Sequence, residues 1–366
     1  MKLSAFAKVA AIGGIAALTL TSCAANEGGA PAEGGDAPAS SLTGTLVGGG
    51  ASSQGSAQEA WTAGFQTAHA DVTVNYDPAG SGAGRETFQQ GASAFAGSDR
   101  AFKTDEISAG PFDSCATDAI VEFPAYISPI AIIFNLEGVD SLDLDAATVA
   151  KIFNGSITKW NDPAIAEQNP DATLPDQNIT AVHRSDDSGT TGNFTEYLSA
   201  AAADDWTAGS IETWPTEFGG EGAQGTSGVV EAVTNGVGTI GYADASRAEG
   251  LGTVAIKVGE EYVDYSPEAA AAIVDASTVE EGRTEHDIAI ELDRTSSADG
   301  VYPIVLVSYL IGCEEYQDAA NAELVKEYFS YIISEEGQDL AAEAAGSAPI
   351  SADLRSKIEP AIAAIK

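Results

Sequence analysis

Positively charged residues are scarce in this sequence of 366 residues. Lys and Arg number 16 against 55 Asp and Glu, which gives a formal net charge of −39. A surface this acidic repels nucleic acid backbones and anionic lipid headgroups. The composition therefore argues against nucleic acid and anionic membrane surfaces as partners. Because surface charge beyond a Debye length of about 8 Å is screened, an anion site in this chain must depend on nearby donors.

Cysteine and histidine are also rare, with 3 residues of each. No Cys-x-x-Cys or His-x-x-x-His spacing occurs, and the Gly-rich loops lack the Lys of a P-loop. We therefore expect no metal ion and no cofactor. Cys23 belongs to an N-terminal leader, which leaves Cys115 and Cys313 as a pair. In an oxidising compartment this pair is expected to form a disulfide bond.

The apolar run from Val9 to Leu20 is too short for a comfortable transmembrane helix. Lys2 and Lys8 precede it, a layout typical of a signal peptide. The segment Leu20-Thr21-Ser22-Cys23 resembles the lipobox of bacterial lipoproteins. We therefore expect a signal peptide at 1–23, lipidation of Cys23 and a cell-membrane location on the extracytoplasmic face. The alternative is a plain secretory signal cut nearby.

The next segment, 24–41, consists mostly of small and acidic residues and is rich in Gly and Pro, so we expect a flexible tether.

Beyond the tether, a strand followed by a Gly/Ser loop and a helix start occurs three times. A further short strand ends at Asp99. In open α/β sheets, ligands collect outside the carboxyl ends of the strands. The three loops lie at 48–56, 79–85 and 184–191.

The third loop reads Arg184-Ser185-Asp186-Asp187-Ser188-Gly189-Thr190-Thr191. Unpaired N–H groups at the start of a helix, the helix dipole and hydroxyls all favour a bound anion. The guanidinium of Arg184 matches phosphate or carboxylate oxygens in bidentate fashion. The alternative interpretation is an N-capped helix with Arg184 as a surface charge.

Two long apolar segments, 120–135 and 301–307, are interpreted as crossovers between two lobes. This assigns 42–124 and 302–366 to lobe 1 and 125–301 to lobe 2, with a ligand cleft between them. The alternative is that both segments are core strands of one large domain. No internal repeat or coiled coil is visible.

Several motifs occur in an order that resembles one family, from about Leu42 to the C-terminus. The chain resembles the periplasmic phosphate-binding proteins of the phosphate-specific ABC importer. This resemblance implies an α/β fold of the two-lobed, type II periplasmic-binding-protein kind. The motifs are the first Gly-Ser loop, Gly80-Ser81-Gly82, Gly97-Ser98-Asp99, Lys159-Trp160-Asn161-Asp162-Pro163, Arg184 to Thr191 and Gly238-Thr239-Ile240-Gly241-Tyr242. The implied phosphate contacts come from Ser52, Ser53, Ser81, Asp99, Arg184, Ser188, Gly189 and Thr190.

The sequence departs from the family pattern at two positions. Ser53 stands where some members have an apolar residue that contributes only its backbone. Asp187 stands where Gly is usual. Asp186 is expected to orient Arg184, although a simple N-cap role is the alternative for Asp186.

Asp99 gives the implied site its selectivity. An ionised carboxylate can only accept hydrogen bonds, so it can accept the proton that phosphate carries near neutral pH. Sulfate has no proton at this pH and would oppose the carboxylate with a like charge. The alternative role for Asp99 is to cap a turn.

We therefore expect a monomeric receptor, not an enzyme, that binds inorganic phosphate. It would deliver phosphate to ABC permease subunits driven by a cytoplasmic ATPase, and its lipid anchor on Cys23 would hold it at the membrane. The alternatives are a receptor for another tetrahedral oxyanion such as sulfate, or a surface phosphohydrolase. A secondary role as an adhesin or antigen stays open.

Overall fold

A computed structural model describes residues 42–366. The predictions on the signal peptide at 1–23, on Cys23 and on the tether at 24–41 concern residues outside this range. Among residues 42–366, no helix combines the length and the apolar character needed to cross a membrane.

Strands in the described part of the chain follow the apolar segments of the sequence. The α/β class predicted from the sequence is confirmed, since helices separate most of the strands in chain order. The strands are β1 (Gly44–Gly50), β2 (Val72–Asp77), β3 (Phe95–Ser98), β4 (Ile120–Asn135), β5 (Ser141–Leu144), β6 (Thr180–Arg184), β7 (Glu221–Ala223), β8 (Thr239–Asp244), β9 (Gly252–Val258), β10 (Glu261–Val263), β11 (Thr278–Val279), β12 (Ile290–Glu291) and β13 (Val305–Cys313).

Helices in the described residues begin mostly at Ser, Asp or Gly-rich turns, as cap preferences predict. They are α1 (Gly55–Ala68), α2 (Ser81–Gln89), α3 (Thr104–Ala109), α4 (Ala146–Phe153), α5 (Pro163–Ala166), α6 (Gly189–Ala201), α7 (Gly225–Asn235), α8 (Pro267–Asp275), α9 (Ala319–Ile333), α10 (Glu335–Ala345) and α11 (Ala352–Ala363). Short 3-10 helices occur at Thr216–Phe218 and Ala245–Arg247.

The main sheet has 11 strands, and its central path runs β2-β1-β3-β13-β4-β8-β6-β7. β1 is parallel to both β2 and β3, while β6 is parallel to β7 and β8. β13 is antiparallel to both β3 and β4. The carboxyl ends of the neighbouring strands β1 and β3 therefore lie side by side. The carboxyl ends of β6 and β7 also lie side by side.

β4 is the strand that links the two groups of parallel strands. Its first part, Ile120–Pro129, pairs with β13, and its last part, Ile130–Asn135, pairs with β8. Pro124 is accommodated where the register shifts, between Ser308 and Tyr309 of β13. The segment 120–135, interpreted from the sequence as a crossover, is thus one continuous strand, fully buried up to Phe134.

Glycines 48–50 form part of β1, whereas the sequence pattern assigned them to a loop. A Cβ at Gly48 would lie 2.2 Å from the ring of Phe95. A Cβ at Gly50 would lie 1.9 Å from the carbonyl oxygen of Gly97. Gly48 and Gly50 are therefore required by close packing against β3 and not by a flexible turn.

The disulfide bond between Cys115 and Cys313 is present, so that prediction is confirmed. Its two Cα atoms are 5.3 Å apart. Cys313 ends β13, and Cys115 precedes β4, the strand with which β13 pairs. The disulfide bond therefore links two chain segments that the pairing of β4 with β13 already brings together.

Candidate functional site

The residues predicted for the site lie at or after the carboxyl ends of four strands, with Ser81 following β2. Ser52 and Ser53 follow β1, Asp99 follows β3 directly, and Arg184 is the last residue of β6. The loops after β1, β3 and β6 are in direct side-chain contact, as described below. This arrangement matches the rule that ligand sites of α/β sheets lie outside the carboxyl ends of their strands.

The carboxylate of Asp99 lies at the centre of this group and is only 2% exposed. Its Oδ1 accepts hydrogen bonds from the hydroxyls of Ser53, at 2.6 Å, and Ser308, at 2.8 Å. Its Oδ2 accepts one from Thr190 Oγ1 at 2.9 Å. One carboxylate thus joins hydroxyls from the β1 loop, from β13 and from the first turn of α6.

Burial raises the pKa of the Asp99 carboxyl above its ordinary value. The hydroxyls of Ser53, Ser308 and Thr190, and the charge of Arg184, act in the opposite direction without cancelling that effect. A carboxylate that is costly to ionise and surrounded by hydroxyl donors is suited to share a proton with a partner oxygen.

Arg184 is buried, with 2% of its side chain exposed, so it is not the surface charge of the alternative interpretation. Its Nε donates to Asp186 Oδ1 at 2.8 Å, and its Nη2 donates to Asp186 Oδ2. Its Nη1 points to Thr190 Oγ1, at 3.4 Å. Thr190 therefore contacts both Arg184 and Asp99.

Asp186 lies against Arg184 and also accepts a hydrogen bond from Gly225 N at 3.1 Å. Burial opposes ionisation of its carboxyl, but the hydrogen bonds and charge of Arg184 lower its pKa below the ordinary value. The ion pair fixes the plane of the guanidinium. The N-cap of α6 is Ser188 and not Asp186, since Ser188 Oγ accepts a hydrogen bond from Thr191 N at 3.2 Å.

The first turn of α6 supplies backbone donors. Gly189 and Thr190 begin the helix, and N–H groups in a first helical turn have no acceptor inside the helix. A Cβ at Gly189 would lie 2.7 Å from both Ser81 Oγ and Asp99 Cβ. The starts of α2 and α6 and the end of β3 therefore meet at Gly189, where only glycine fits without displacing a neighbour.

Ser81 and Ser52 complete the predicted set in different ways. Ser81 Oγ accepts a hydrogen bond from Asp99 N at 3.1 Å. Ser52 Oγ lies 3.1 Å from Thr226 Oγ1 and accepts from Thr226 N at 3.1 Å. Ser52 is thus directed to the start of α7, whereas Ser53 contacts Asp99.

Ser308 and Thr226 are residues at the site that were missed in the sequence. Ser308 lies inside the apolar strand β13, and its hydroxyl accepts from Gln54 Nε2 at 2.6 Å while donating to Asp99. Nothing in the pattern around Ser308 distinguishes it from a core residue. Thr226 could have been found, because Gly225-Thr226-Ser227-Gly228 repeats the small-residue loop pattern before a helix.

Asp187, the departure from the family pattern, lies at the rim. Its carbonyl oxygen accepts a hydrogen bond from Gly82 N at 3.2 Å, and its carboxylate lies 3.7 Å from Arg85 Nη2. Burial, and then the nearby Glu212, raise the pKa of the Asp187 carboxyl.

Comparison with known proteins places the chain in a family. A family model described as the PBP superfamily domain matches residues 35–336. Phosphate-binding protein PstS 3 of Mycobacterium tuberculosis (strain ATCC 25618 / H37Rv) is 34% identical over 376 residues, covering 100% of both chains. The chain belongs to the PstS family of phosphate-binding proteins.

Solved structures similar to this PstS-family chain share its fold. A high affinity periplasmic phosphate-binding protein (PfluDING) bound with phosphate has a TM-score of 0.68 at 22% identity, covering 86% of this chain and 93% of that one. A putative phosphate ABC transporter substrate-binding protein from Clostridium perfringens, also with bound phosphate, has a TM-score of 0.57 at 22% identity, with 82% and 98% covered. The predicted periplasmic-binding-protein fold is confirmed.

Proposed function

We propose that this protein binds inorganic phosphate outside the cytoplasm and delivers it to an ABC-type phosphate importer. The observation that carries this function is the position of Thr190, whose hydroxyl lies 2.9 Å from Asp99 Oδ2 and 3.4 Å from Arg184 Nη1. An acceptor and a cation are thus separated by a single side chain, the spacing that one small oxyanion could bridge. The PstS proteins to which the chain is similar carry phosphate-binding names.

In this proposal, the ligand is held by Ser52, Ser53, Ser81, Asp99, Arg184, Ser188, Gly189 and Thr190. Hydroxyls and the N–H groups of α6 donate to the anionic oxygens, and Arg184, oriented by Asp186, supplies the positive charge. Asp99 accepts the phosphate proton. Sulfate lacks this proton, so a sulfate oxygen and the Asp99 carboxylate would face each other with no proton between them. Two unshielded negative charges in contact are costly in a dry site.

The proposed mechanism is closure of two lobes, 42–124 with 302–366 and 125–301, around the ligand. Several side-chain contacts join residues from these two sets: Ser52 with Thr226, Asp99 with Thr190, and Arg85 with Glu212. Only a closed form brings both sets of donors to one ligand, so phosphate favours that form. Lipidation of Cys23, a monomeric state and the permease contacts belong to the same proposal.

The protein acts as a receptor and not as an enzyme in this proposal. A phosphohydrolase would need a general base beside a nucleophile such as Ser188. The nearby histidine, His183, stacks on Trp214 with ring centroids 4.9 Å apart, and its Nδ1 lies 2.9 Å from the carbonyl oxygen of Arg184. Its ring is thus engaged by Trp214 and by the backbone of Arg184.

Calorimetric titration with phosphate and with sulfate tests the function. We expect phosphate to bind far more tightly than sulfate, and we expect Asp99→Asn to reduce this preference. Asp244→Asn is the matched control, because Asp244 is as deeply buried as Asp99. Its carboxylate accepts a hydrogen bond from the hydroxyl of Tyr126 and not from the hydroxyls of the candidate site. Equal affinity for both anions would indicate a different oxyanion receptor, and turnover of a chromogenic phosphate ester would indicate a hydrolase. Mass spectrometry of the native protein tests lipidation of Cys23.

A further inference from the structure

The side-chain amide of Asn193 connects two parts of the candidate site. Asn193 lies one turn into α6 and is buried. Its Nδ2 donates to the carbonyl oxygen of Asp99 at 2.5 Å and to that of Gly189 at 3.0 Å. One amide group therefore links the residue with the central carboxylate to the helix start that supplies the backbone donors.

Arg294 determines which way this amide faces. Its Nη2 donates to Asn193 Oδ1, and its Nη1 donates to the carbonyl oxygens of Pro303, at 3.3 Å, and Val305, at 3.0 Å. Its Nε donates to Glu196 Oε2 at 3.0 Å. Because a guanidinium has only donors, Oδ1 of Asn193 must face Arg294, and the NH₂ group must face the two carbonyls.

We propose that Asn193, oriented by Arg294, is a positioning residue that sets the selectivity of the site for a protonated oxyanion. This inference rests on the proposed function, because it concerns the same Asp99 carboxylate. Asn193 acts through the backbone of Asp99, and it fixes the carboxylate of Asp99 relative to the N–H donors of Gly189 and Thr190.

The backbone of Asp99 is held from both sides. Its N–H donates to Ser81 Oγ at 3.1 Å, and its carbonyl oxygen accepts from Asn193. Loss of the amide contact frees the carbonyl and allows the peptide unit to rotate, which moves the carboxylate. Hydrogen bonds weaken steeply with poor angles, so a small displacement weakens acceptance of a ligand proton.

Asn193→Asp tests this inference by replacing the NH₂ group with an oxygen. That oxygen would face two carbonyl oxygens, while the other oxygen keeps Arg294 as its partner. We expect phosphate to bind at least about tenfold more weakly, since the loop of Asp99 and the start of α6 are no longer held in the geometry that the ligand requires. We expect the ratio of phosphate to sulfate affinity to fall by about tenfold or more, since loss of a well-placed acceptor affects only phosphate.

Asn169→Asp is the matched control. The Nδ2 of Asn169 donates to two carbonyl oxygens, of Asp143 at 2.8 Å and of Ile165 at 2.9 Å, the second again four residues earlier. These partners belong to β5 and α5 and not to the loops of the candidate site. We expect Asn169→Asp to lower the melting temperature but to leave phosphate affinity within about twofold, together with an unchanged selectivity ratio.

The experiment is calorimetric titration of wild type and variants with phosphate and with sulfate. Wild-type affinity and selectivity in Asn193→Asp would overturn the inference. Should that variant fail to fold, Arg294→Lys is the second test, because Lys keeps the positive charge but lacks the several fixed N–H donors of the guanidinium. We expect it to bind phosphate about tenfold more weakly with reduced selectivity, and wild-type values would again overturn the inference. A wild-type protein that binds no phosphate would instead overturn the proposed function.

Discussion

Glu212 accepts hydrogen bonds from Arg85 Nη2 with both of its carboxylate oxygens, at 3.0 and 2.9 Å. Its Oε2 also accepts from Arg100 Nε at 2.7 Å. Arg85 and Arg100 belong to the segment 42–124, and Glu212 belongs to 125–301. A single carboxylate therefore holds two guanidinium groups from the other proposed lobe.

We predict that Glu212→Gln weakens the closed form. The amide presents an NH₂ group to one guanidinium and leaves two cations close together with less compensating charge. Because Glu212 is 15% exposed, we expect a loss smaller than the roughly 3–5 kcal/mol of a fully buried pair. Phosphate should dissociate at least about tenfold faster, measured by stopped-flow fluorescence.

Asp176→Asn is the control for this prediction. Asp176 pairs with Lys159 at the surface, and its side chain is 72% exposed. Exposed ion pairs contribute little, so this variant should release phosphate at the wild-type rate. Equal release rates for Glu212→Gln and wild type would show that the Arg85 pair does not stabilise the closed form.

Gly189→Ala should disrupt the meeting point of three loops. The added methyl group would lie 2.7 Å from Asp99 Cβ and from Ser81 Oγ, closer than real Cβ contacts allow. We predict a loss of phosphate affinity of about a hundredfold, because the displaced loops form the proposed phosphate site. Gly55→Ala is the matched control, since Gly55 begins α1 as Gly189 begins α6, and an added Cβ there meets nothing within 4 Å. Calorimetry that gives both variants wild-type affinity would contradict this prediction.

The sequence pattern predicted the site residues at the ends of strands. It did not predict the residues that contact the site from the middle of a strand or a helix. Asp99 and Arg184 could be predicted because each ends a short apolar run, the place where α/β sheets carry ligands. Ser308 and Asn193 could not, because one lies in a buried strand and the other inside a helix. Their roles depend on which strand and helix become neighbours, and local spacing does not encode this.

One local expectation failed for a physical reason. Glycines 48–50 were predicted as part of a loop, yet they extend β1 because their backbone pairs with β2 and β3. The ring of Phe95 and the carbonyl of Gly97 leave no room for a side chain at Gly48 and Gly50. The pairing of Cys115 with Cys313 was predictable by contrast, since a leader cysteine left only these two.

Removal of the disulfide should destabilise the fold without weakening the site. The bond joins residues 198 positions apart, and in the chain-entropy model a loop this long contributes at most about 5 kcal/mol. We predict that the double variant Cys115→Ser with Cys313→Ser unfolds at lower urea concentration and keeps wild-type phosphate affinity. Denaturation of the wild type with and without a reducing agent checks the same difference, and identical midpoints would contradict it.

Asp244 lies outside the proposed site and makes the stability of the protein depend on pH. Its carboxyl is fully buried at the end of β8, and the hydroxyl of Tyr126 donates to both of its oxygens at 3.1 Å. Burial raises its pKa to about 6, although hydrogen bonds from Ser246, Ser128 and Tyr126 favour the ionised form. Its pKa in the unfolded chain is about 3.9.

Because the folded pKa is the higher one, the stabilisation from Asp244 is complete below about pH 4 and is lost as the pH rises through about 6. A shift of about two units corresponds to roughly 3 kcal/mol. We therefore predict that Asp244→Asn, whose amide does not ionise, gains stability relative to wild type between pH 4 and pH 7. Urea unfolding of both proteins at intervals across this range measures the difference, and a gap that stays constant with pH would assign the ionisation to another group.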